Sequence, residues 1–263
     1  MFQPASMFRP AALIGIYDHG DTIAAVARPL VAQGLPVLVV DDGSGAATRA
    51  KLAELARAEP SVRVVHLPVN GGKGAALIHG FEMLEREGFT HAVVLDADGQ
   101  HATGDVPAFL AAARAEPTAL VLGDPIFDAS APKARLHGRK ISRFWVNIET
   151  LSTSIADPLC GFRCYPLAGT NAVVRSYRPR TRMDFDPEIA VRLAWHGAPM
   201  VNVRTRVHYP VGGISHFDML RDNVRISWMH TRLFFGMLAR LPRILMTRAR
   251  RLSRERGGAE PSA

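Results

Sequence analysis

Five short apolar runs recur through the first 125 residues: ALIGIY (12–17), PVLVVDD (36–42), VRVVHL (62–67), HAVVLDAD (91–98) and TALVLGD (118–124). Between them lie segments with helical apolar spacing, 21–34, 46–59, 73–88 and 105–116, two of which stop at a glycine, Gly34 and Gly88. Strands that are apolar on both faces and alternate with helices can be buried only in a parallel sheet covered on both sides. The chain of 263 residues, 48% hydrophobic, is long enough for one large α/β domain with or without an appendage. Beyond residue 125 the alternation breaks. The pattern predicts one long helix over 134–155, a strand over 160–166, a helix over 186–197 and a strand over 199–210 closed by Pro210. This half is expected to add mixed strands and to cover the site. From 217 to about 251 the pattern is helical, with an interruption expected at Pro242 and a frayed end over the last dozen residues.

Ligands of parallel sheets bind beyond the carboxyl ends of the strands. Those ends carry Asp18, Asp41, Asp42, Asp96 and Asp98. Asp96 and Asp98 flank Ala97, and side chains two apart on a strand share a face. Two carboxylates that close repel unless a cation lies between them. Mg²⁺ and Mn²⁺ favour one or two carboxylates plus phosphate oxygens, and Gln100 can supply a third, neutral oxygen. The alternative is an acidic turn after a strand. Asp41 and Asp42 end the second strand, where a carboxylate can accept from the ring N–H of uracil or guanine. NGGKG (70–74) is not a Walker A loop, because Gly74 follows Lys73 where that motif has Ser or Thr. Gly71, Gly72 and Gly74 still permit close backbone approach, and Lys73 adds positive charge at a helix start. No G-x-G-x-x-G follows the first strand. A nucleotide diphosphate with a metal ion would use all of these parts.

Five ordered motifs, VVDDGS, NGGKGAAL, DADGQH, DPLCGFRCYP and MDFDPEIAVRLAWHG, resemble a family-2 glycosyltransferase over roughly residues 11–217. The branch they are most similar to includes dolichyl-phosphate mannose and polyprenyl-phosphate glucose synthases. The segment GGISHF…NVRISWMHTRLFFGM also resembles glycosyltransferases of bacterial aryl-polyene, xanthomonadin-like, pigment pathways. The resemblance implies a GT-A (Rossmann-like) fold and an inverting transferase using a nucleotide-diphospho-sugar with Mg²⁺ or Mn²⁺. It implies a metal motif at Asp96, Asp98 and Gln100, a base-binding turn at Asp41 and Asp42, and a nucleotide-adjacent loop at Lys73, with Asp96 also beside the nucleotide. It divides the chain into a glycosyltransferase domain over 1–216 and a tail over 217–263. The domain has a nucleotide-sugar half, about 11–125, and an acceptor half, about 126–216. Two departures stand out. The first strand ends in YDHG, with Asp18 and His19, where the family usually has Tyr-Asn-Glu. In PVGGISH, Pro210 and His216 stand where polyprenyl-phosphate enzymes carry Arg and Lys, which counts against that acceptor; a lipid-like or polyene-type acceptor is expected, with a polyprenyl phosphate as the alternative. Arg204 and Arg206 on the preceding strand are the available substitutes.

Inverting transfer is one in-line displacement at the anomeric carbon, with negative charge growing on the departing diphosphate. Arg163 is the expected second positive contact. A hydroxyl acceptor needs a general base and an acceptor phosphate does not. Asp157 is the candidate base, with Asp186 and Glu188 as alternates. Two other functions compete with this one. A sugar-1-phosphate nucleotidyltransferase usually has a Gly-rich basic loop after the first strand, where this chain has the acidic YDHGD. A catalytically dead binding module fits poorly with an intact Asp-x-Asp.

The formal charge of +8 is uneven: residues 217–263 hold ten Arg against four Asp or Glu, which is +6 of the total. A neutral body with a basic end suggests an anionic surface and excludes a general nucleic-acid binder. Leu220, Val224, Met229, Leu233, Phe234 and Leu238 fall near helical spacing among Arg221, Arg225, Arg232 and Arg240, with Trp228 and Phe235 beside them. That pattern fits a helix lying in an anionic membrane surface through 217–251. The alternative is a helix packed on its own domain or on a second subunit. No signal peptide is read at the N-terminus, and no apolar run reaches the ~18 residues needed to cross a bilayer. Cys160 and Cys164 are expected to be reduced core residues. The expected location is cytoplasmic, peripheral on the cytoplasmic face of the membrane.

Overall fold

The computed structural model describes residues 7–127, 133–208 and 219–257. The alternating first half forms β1 (Pro10–Ile16), α1 (Ile23–Ala32), β2 (Val37–Asp41), α2 (Ala46–Ala58), β3 (Val62–His66), α3 (Lys73–Arg86), β4 (His91–Asp96), α4 (Val106–Ala115) and β5 (Leu120–Phe127). The second half adds α5 (Lys133–Thr150), β6 (Arg163–Pro166), α6 (Leu167–Tyr177), α7 (Phe185–Trp195), β7 (Met200–Val207) and α8 (Met219–Gly257).

All seven strands form one sheet in the order β3-β2-β1-β4-β6-β5-β7. Strands β1 to β4 pair in parallel, as do β5 and β7. Strand β6 runs antiparallel to both β4 and β5 and joins the two groups. Successive side chains of a strand point to opposite faces, which explains the unbroken apolar runs. Ala11, Leu13, Leu38, Val40 and Val94 pack with Leu77 and Phe81 of α3 and Ile189 of α7. Ala12, Ile14, Val37, Val39 and Val93 pack on the other face with Val26 of α1, Leu52 of α2 and Phe109 of α4.

The second half departs from expectation in several places. Helix α5 stops at Thr150 rather than 155, and Leu151 follows it with φ +51°. Only Arg163–Pro166 of the 160–166 stretch is strand, and the strand expected over 199–210 is seen over Met200–Val207. Helix α6 was not anticipated, because buried Thr170 and Asn171 interrupt its apolar face. At that depth the Asn171 NH2 donates to the carbonyl of Phe81 at 3.0 Å. Helix α8 runs through Pro242 without a break. Pro242 lies on the exposed side, where the carbonyl it leaves without a partner can meet water.

The expected tail helix is present, and one of its faces is docked. Met229, Leu233, Met237 and Ile244 join the main core, and His230 meets the buried Glu149 of α5 at 2.8 Å. Cys160 and Cys164 are free and buried, and burial pushes the Cys160 thiol up to about 12. No described helix is long and apolar enough to cross a membrane. The departures at Pro210 and His216 lie outside the described residues, as does the expected frayed end beyond 257; over 252–257, also expected to fray, the chain is still helix α8.

Candidate active site

The site grows from the carboxyl end of β4. Asp96 is its last residue, and the chain then turns through Gly99 at φ +75°. Asp98 stabilises this turn by accepting the Gln100 main-chain N–H at 3.0 Å. Lys73, the first residue of α3, stands opposite. Its Nζ meets Asp96 Oδ1 at 2.6 Å and Asp186 Oδ2 at 2.7 Å. His101 Nε2 lies 3.3 Å from the other Asp96 oxygen. Burial works to raise the Asp96 pKa, but the Lys73 ammonium and the His101 contact outweigh it and hold this carboxyl well below the carboxylate range. Burial works to lower Lys73, and its two carboxylates hold it above the ordinary lysine value instead. Burial and the like charge of Asp96 push Asp98 up. The result is a row, Asp186–Lys73–Asp96, with Asp98 left over beside it.

The loop before Lys73 is committed to the protein. Asp42 accepts the N–H groups of Gly71 and Gly72 at 2.8 and 2.7 Å. The Gly74 N–H donates to the Thr181 carbonyl at 2.7 Å, and a Cβ on Gly74 would sit 2.7 Å from the Phe185 ring. The close approach expected of these glycines is therefore made within the protein, by Gly72 and Gly74 to residues 181–185 and by Gly71 to Ala75. Asp41 is equally engaged: it accepts the Ser44 N–H at 2.9 Å and meets His66 Nδ1 at 2.7 Å. Burial works against the Asp41 carboxylate, but these bonds outweigh it and hold the group below its ordinary value. Asp41 and Asp42 are 0% and 2% exposed, so both aspartates shape their turn from inside.

From the later half of the chain the main chain of Gly161 presses against the row. A Cβ there would overlap an Asp96 oxygen and stand 2.7 Å from Lys73 Nζ. Two residues on, the Arg163 guanidinium is wholly buried. It donates to the carbonyls of Cys160 (2.8 Å), Pro158 (2.6 Å) and Asp186 (2.6 Å), and to the Tyr165 hydroxyl (3.2 Å). Arg163 thus stands behind the site and ties the 158–161 loop to the start of α7, out of reach of a diphosphate. Asp157 is 7% exposed, pairs with Arg139 of α5 at 2.7 Å and accepts the Leu159 N–H at 2.8 Å. Of the alternates, Asp186 holds Lys73. Glu188 is fully buried and taken up by Arg192 (2.6 Å), Arg232 (2.8 Å) and the Arg180 N–H (3.0 Å). Arg163 and Glu188 are accordingly not brought to the mouth.

A cavity of about 380 Å³ opens beside the β4 turn, lined among others by Gln100, His101, Ile126, Phe127, Arg206 and His208. An isolated antiparallel bridge between His101 and Val207, with the His208 N–H donating to the Gln100 carbonyl at 3.1 Å, pins the end of β7 to this turn. His101 Nδ1 is buried without a partner among the described residues. Sequence reasoning placed the acids correctly at the strand ends. It missed Gly161, Arg139 and the Asp186–Lys73 pair, and only the glycine inside CGFRC carried any local signal.

Among the described residues no three His, Cys, Asp or Glu side chains converge to hold a metal ion by themselves. Asp98 nonetheless suits a hard divalent ion that completes its shell with phosphate oxygens. One Asp98 oxygen has no protein partner among the described residues, and its charge is opposed by Asp96 and by burial.

Comparison with known proteins bears on the family and the fold. A 75-residue stretch is 44% identical to polyprenol monophosphomannose synthase of Mycolicibacterium smegmatis, covering 28% of each chain. Over 174 residues the chain is 28% identical to undecaprenyl-phosphate mannosyltransferase of Micrococcus luteus, covering 64% of this chain and 69% of that one. The fold resembles that of S. aureus TarS, residues 1–349, crystallised with UDP-GlcNAc. The TM-score is 0.57 at 13% identity, over 86% of this chain and 66% of the other. The mixed seven-stranded sheet flanked by helices is thus of the GT-A type. The description Glycosyl transferase family 2 matches residues 12–176, more than half of the sequence, and the chain belongs to that family.

Proposed function

We propose that this protein is an inverting glycosyltransferase that moves a sugar from a UDP- or GDP-linked donor to a lipid-like acceptor. The observation that carries this reading is the Asp186–Lys73–Asp96 row with Asp98 beside it at the carboxyl end of β4. Asp98, with Asp96 behind it and Gln100 alongside, would hold Mg²⁺ or Mn²⁺, which when bound supplies positive charge to the leaving diphosphate. Lys73 keeps Asp96 ionised and fixed, so the turn carrying Asp98 does not rearrange as charge develops. Asp41 and Asp42 act through the turn they hold, which receives the base. Arg163 positions the 158–161 loop against the row. Helix α8 lies on an anionic membrane surface, which suits an acceptor with an apolar chain.

A second acceptor reading is a polyprenyl phosphate. The printed names of the two bacterial relatives favour it, as does Arg206 on the cavity wall beside the β4 turn. The two readings differ at Asp157. For a hydroxyl acceptor, Asp157→Asn should lower kcat by about 10²-fold or more while donor binding stays intact. For a phosphate acceptor the same change should cost little. Loss of donor binding in that variant would overturn both assignments. The reaction class is tested by incubating the protein with several nucleotide sugars and Mn²⁺ and reading released nucleotide diphosphate. Release with none of them, with or without a polyprenyl-phosphate acceptor, would refute the proposal.

A further inference from the structure

Helix α8 is apolar on two opposite sides. At about 100° per residue, Val224, Trp228, Phe235, Leu238 and Met246 fall within about 40° of one line along the helix. The packed Met229, Leu233, Met237 and Ile244 lie about 180° from that line. The outward five are 47–64% exposed. Helix α5 carries a matching set: Ile141 is 61% exposed, Phe144 60% and Trp145 36%. The two sets meet. Trp145 packs edge-on to Phe234 at 6.2 Å, and Phe234 to Phe235 at 5.6 Å.

The surroundings are basic. Lys140 and Arg143 of α5 are exposed beside the apolar set. Helix α8 carries ten arginines against Asp222 and Glu255. Two copies of this surface face to face would bring two arginine-rich helices together and repel, whereas an anionic bilayer neutralises them. Exposed Trp and Phe set among Arg and Lys suit the headgroup boundary.

We propose that Ile141, Phe144 and Trp145 of α5 and the outward stripe of α8 form a single docking face for an anionic lipid bilayer. This rests on the reading of α8 as membrane-lying and extends it to a second helix that reaches the catalytic mouth. Arg139, two residues before Ile141, holds Asp157 at 2.7 Å and lies 5.0 Å over the ring of Phe127, which lines the cavity. A bilayer under α5 therefore lies next to the cavity, and an acceptor anchored by an apolar chain reaches it without leaving the lipid.

The chain has three tryptophans, and Trp195 is 5% exposed with its indole N–H on the Glu149 carbonyl at 2.7 Å. A Trp228→Phe variant therefore leaves Trp145 as the reporter of α5. With vesicles of phosphatidylglycerol and phosphatidylcholine brominated in the acyl chains, its emission should be quenched relative to unbrominated vesicles. An Ile141→Ser, Phe144→Ser variant of the full chain should partition onto unbrominated vesicles about tenfold more weakly than the wild type. If the Trp228→Phe protein binds but Trp145 is not quenched, or if the double variant partitions like the wild type, α5 is not part of the face and the inference fails while the α8 reading stands. If the wild type binds no vesicles, the α8 reading fails and takes the inference with it. If light scattering instead finds a dimer that Phe144→Ser dissociates, a second copy covers the face and the proposal is overturned.

Discussion

An Arg163→Leu variant is expected to lose roughly 3–5 kcal/mol of stability, because it removes one partner from a wholly buried polar cluster. The carbonyls of Pro158, Cys160 and Asp186 would each lose a charge-assisted donor and have no water to replace it. For a domain of this size the melting temperature should fall by about 10 °C. Arg163→Lys should not rescue it, since a single ammonium cannot follow the fork of acceptors that a guanidinium spans. Thermal melts followed by circular dichroism measure both. A melting temperature unchanged in the leucine variant would mean that Arg163 is not what ties the 158–161 loop to α7.

Asp98→Asn is expected to act in the opposite way, on turnover and not on folding. The Asp98 carboxylate is opposed in the folded protein by burial and by Asp96, so neutralising it should leave the melting temperature unchanged or slightly raised. Losing an ion that stabilises a leaving diphosphate removes several kcal/mol from the transition state, or about three orders of magnitude in kcat. The Mn²⁺-dependent part of nucleotide binding should vanish, while any metal-independent part stays. Calorimetric titration of UDP and GDP with and without Mn²⁺, alongside the rate of diphosphate release, reads both effects. A variant that turns over at the wild-type rate would remove Asp98 from the chemistry.

The parallel half of the molecule was legible because its strands are buried on both faces, which leaves an unmistakable run of apolar residues ending in acid. Asp96, Asp98, Asp41 and Asp42 could be placed at one end of the sheet for the same reason. What those acids touch was not legible. Lys73 and Asp186 are 113 positions apart, and no local pattern couples them. Arg163 illustrates the limit: its charge suggested a contact with ligand, whereas three main-chain carbonyls claim it inside the protein. Helix α6 was missed because two of its buried positions, Thr170 and Asn171, are polar, and the Asn171 NH2 finds its acceptors only 86 and 90 positions away. Pro242 was overvalued as a helix breaker because its cost depends on which side of the helix it faces.

The reversed strand in the middle of the sheet bears on how this protein can be divided. Strand β6 is donated by the later half of the chain, yet it fills the gap between β4 and β5, both from the earlier half. A fragment ending near residue 125 would keep the acids but leave the β4 edge bare, an open template for other chains. Such a fragment should clump when expressed alone and recover when the remainder is supplied in trans. The earlier and later portions of this fold are therefore not exchangeable cassettes, and any hybrid must carry β6 along with the portion whose edge it seals.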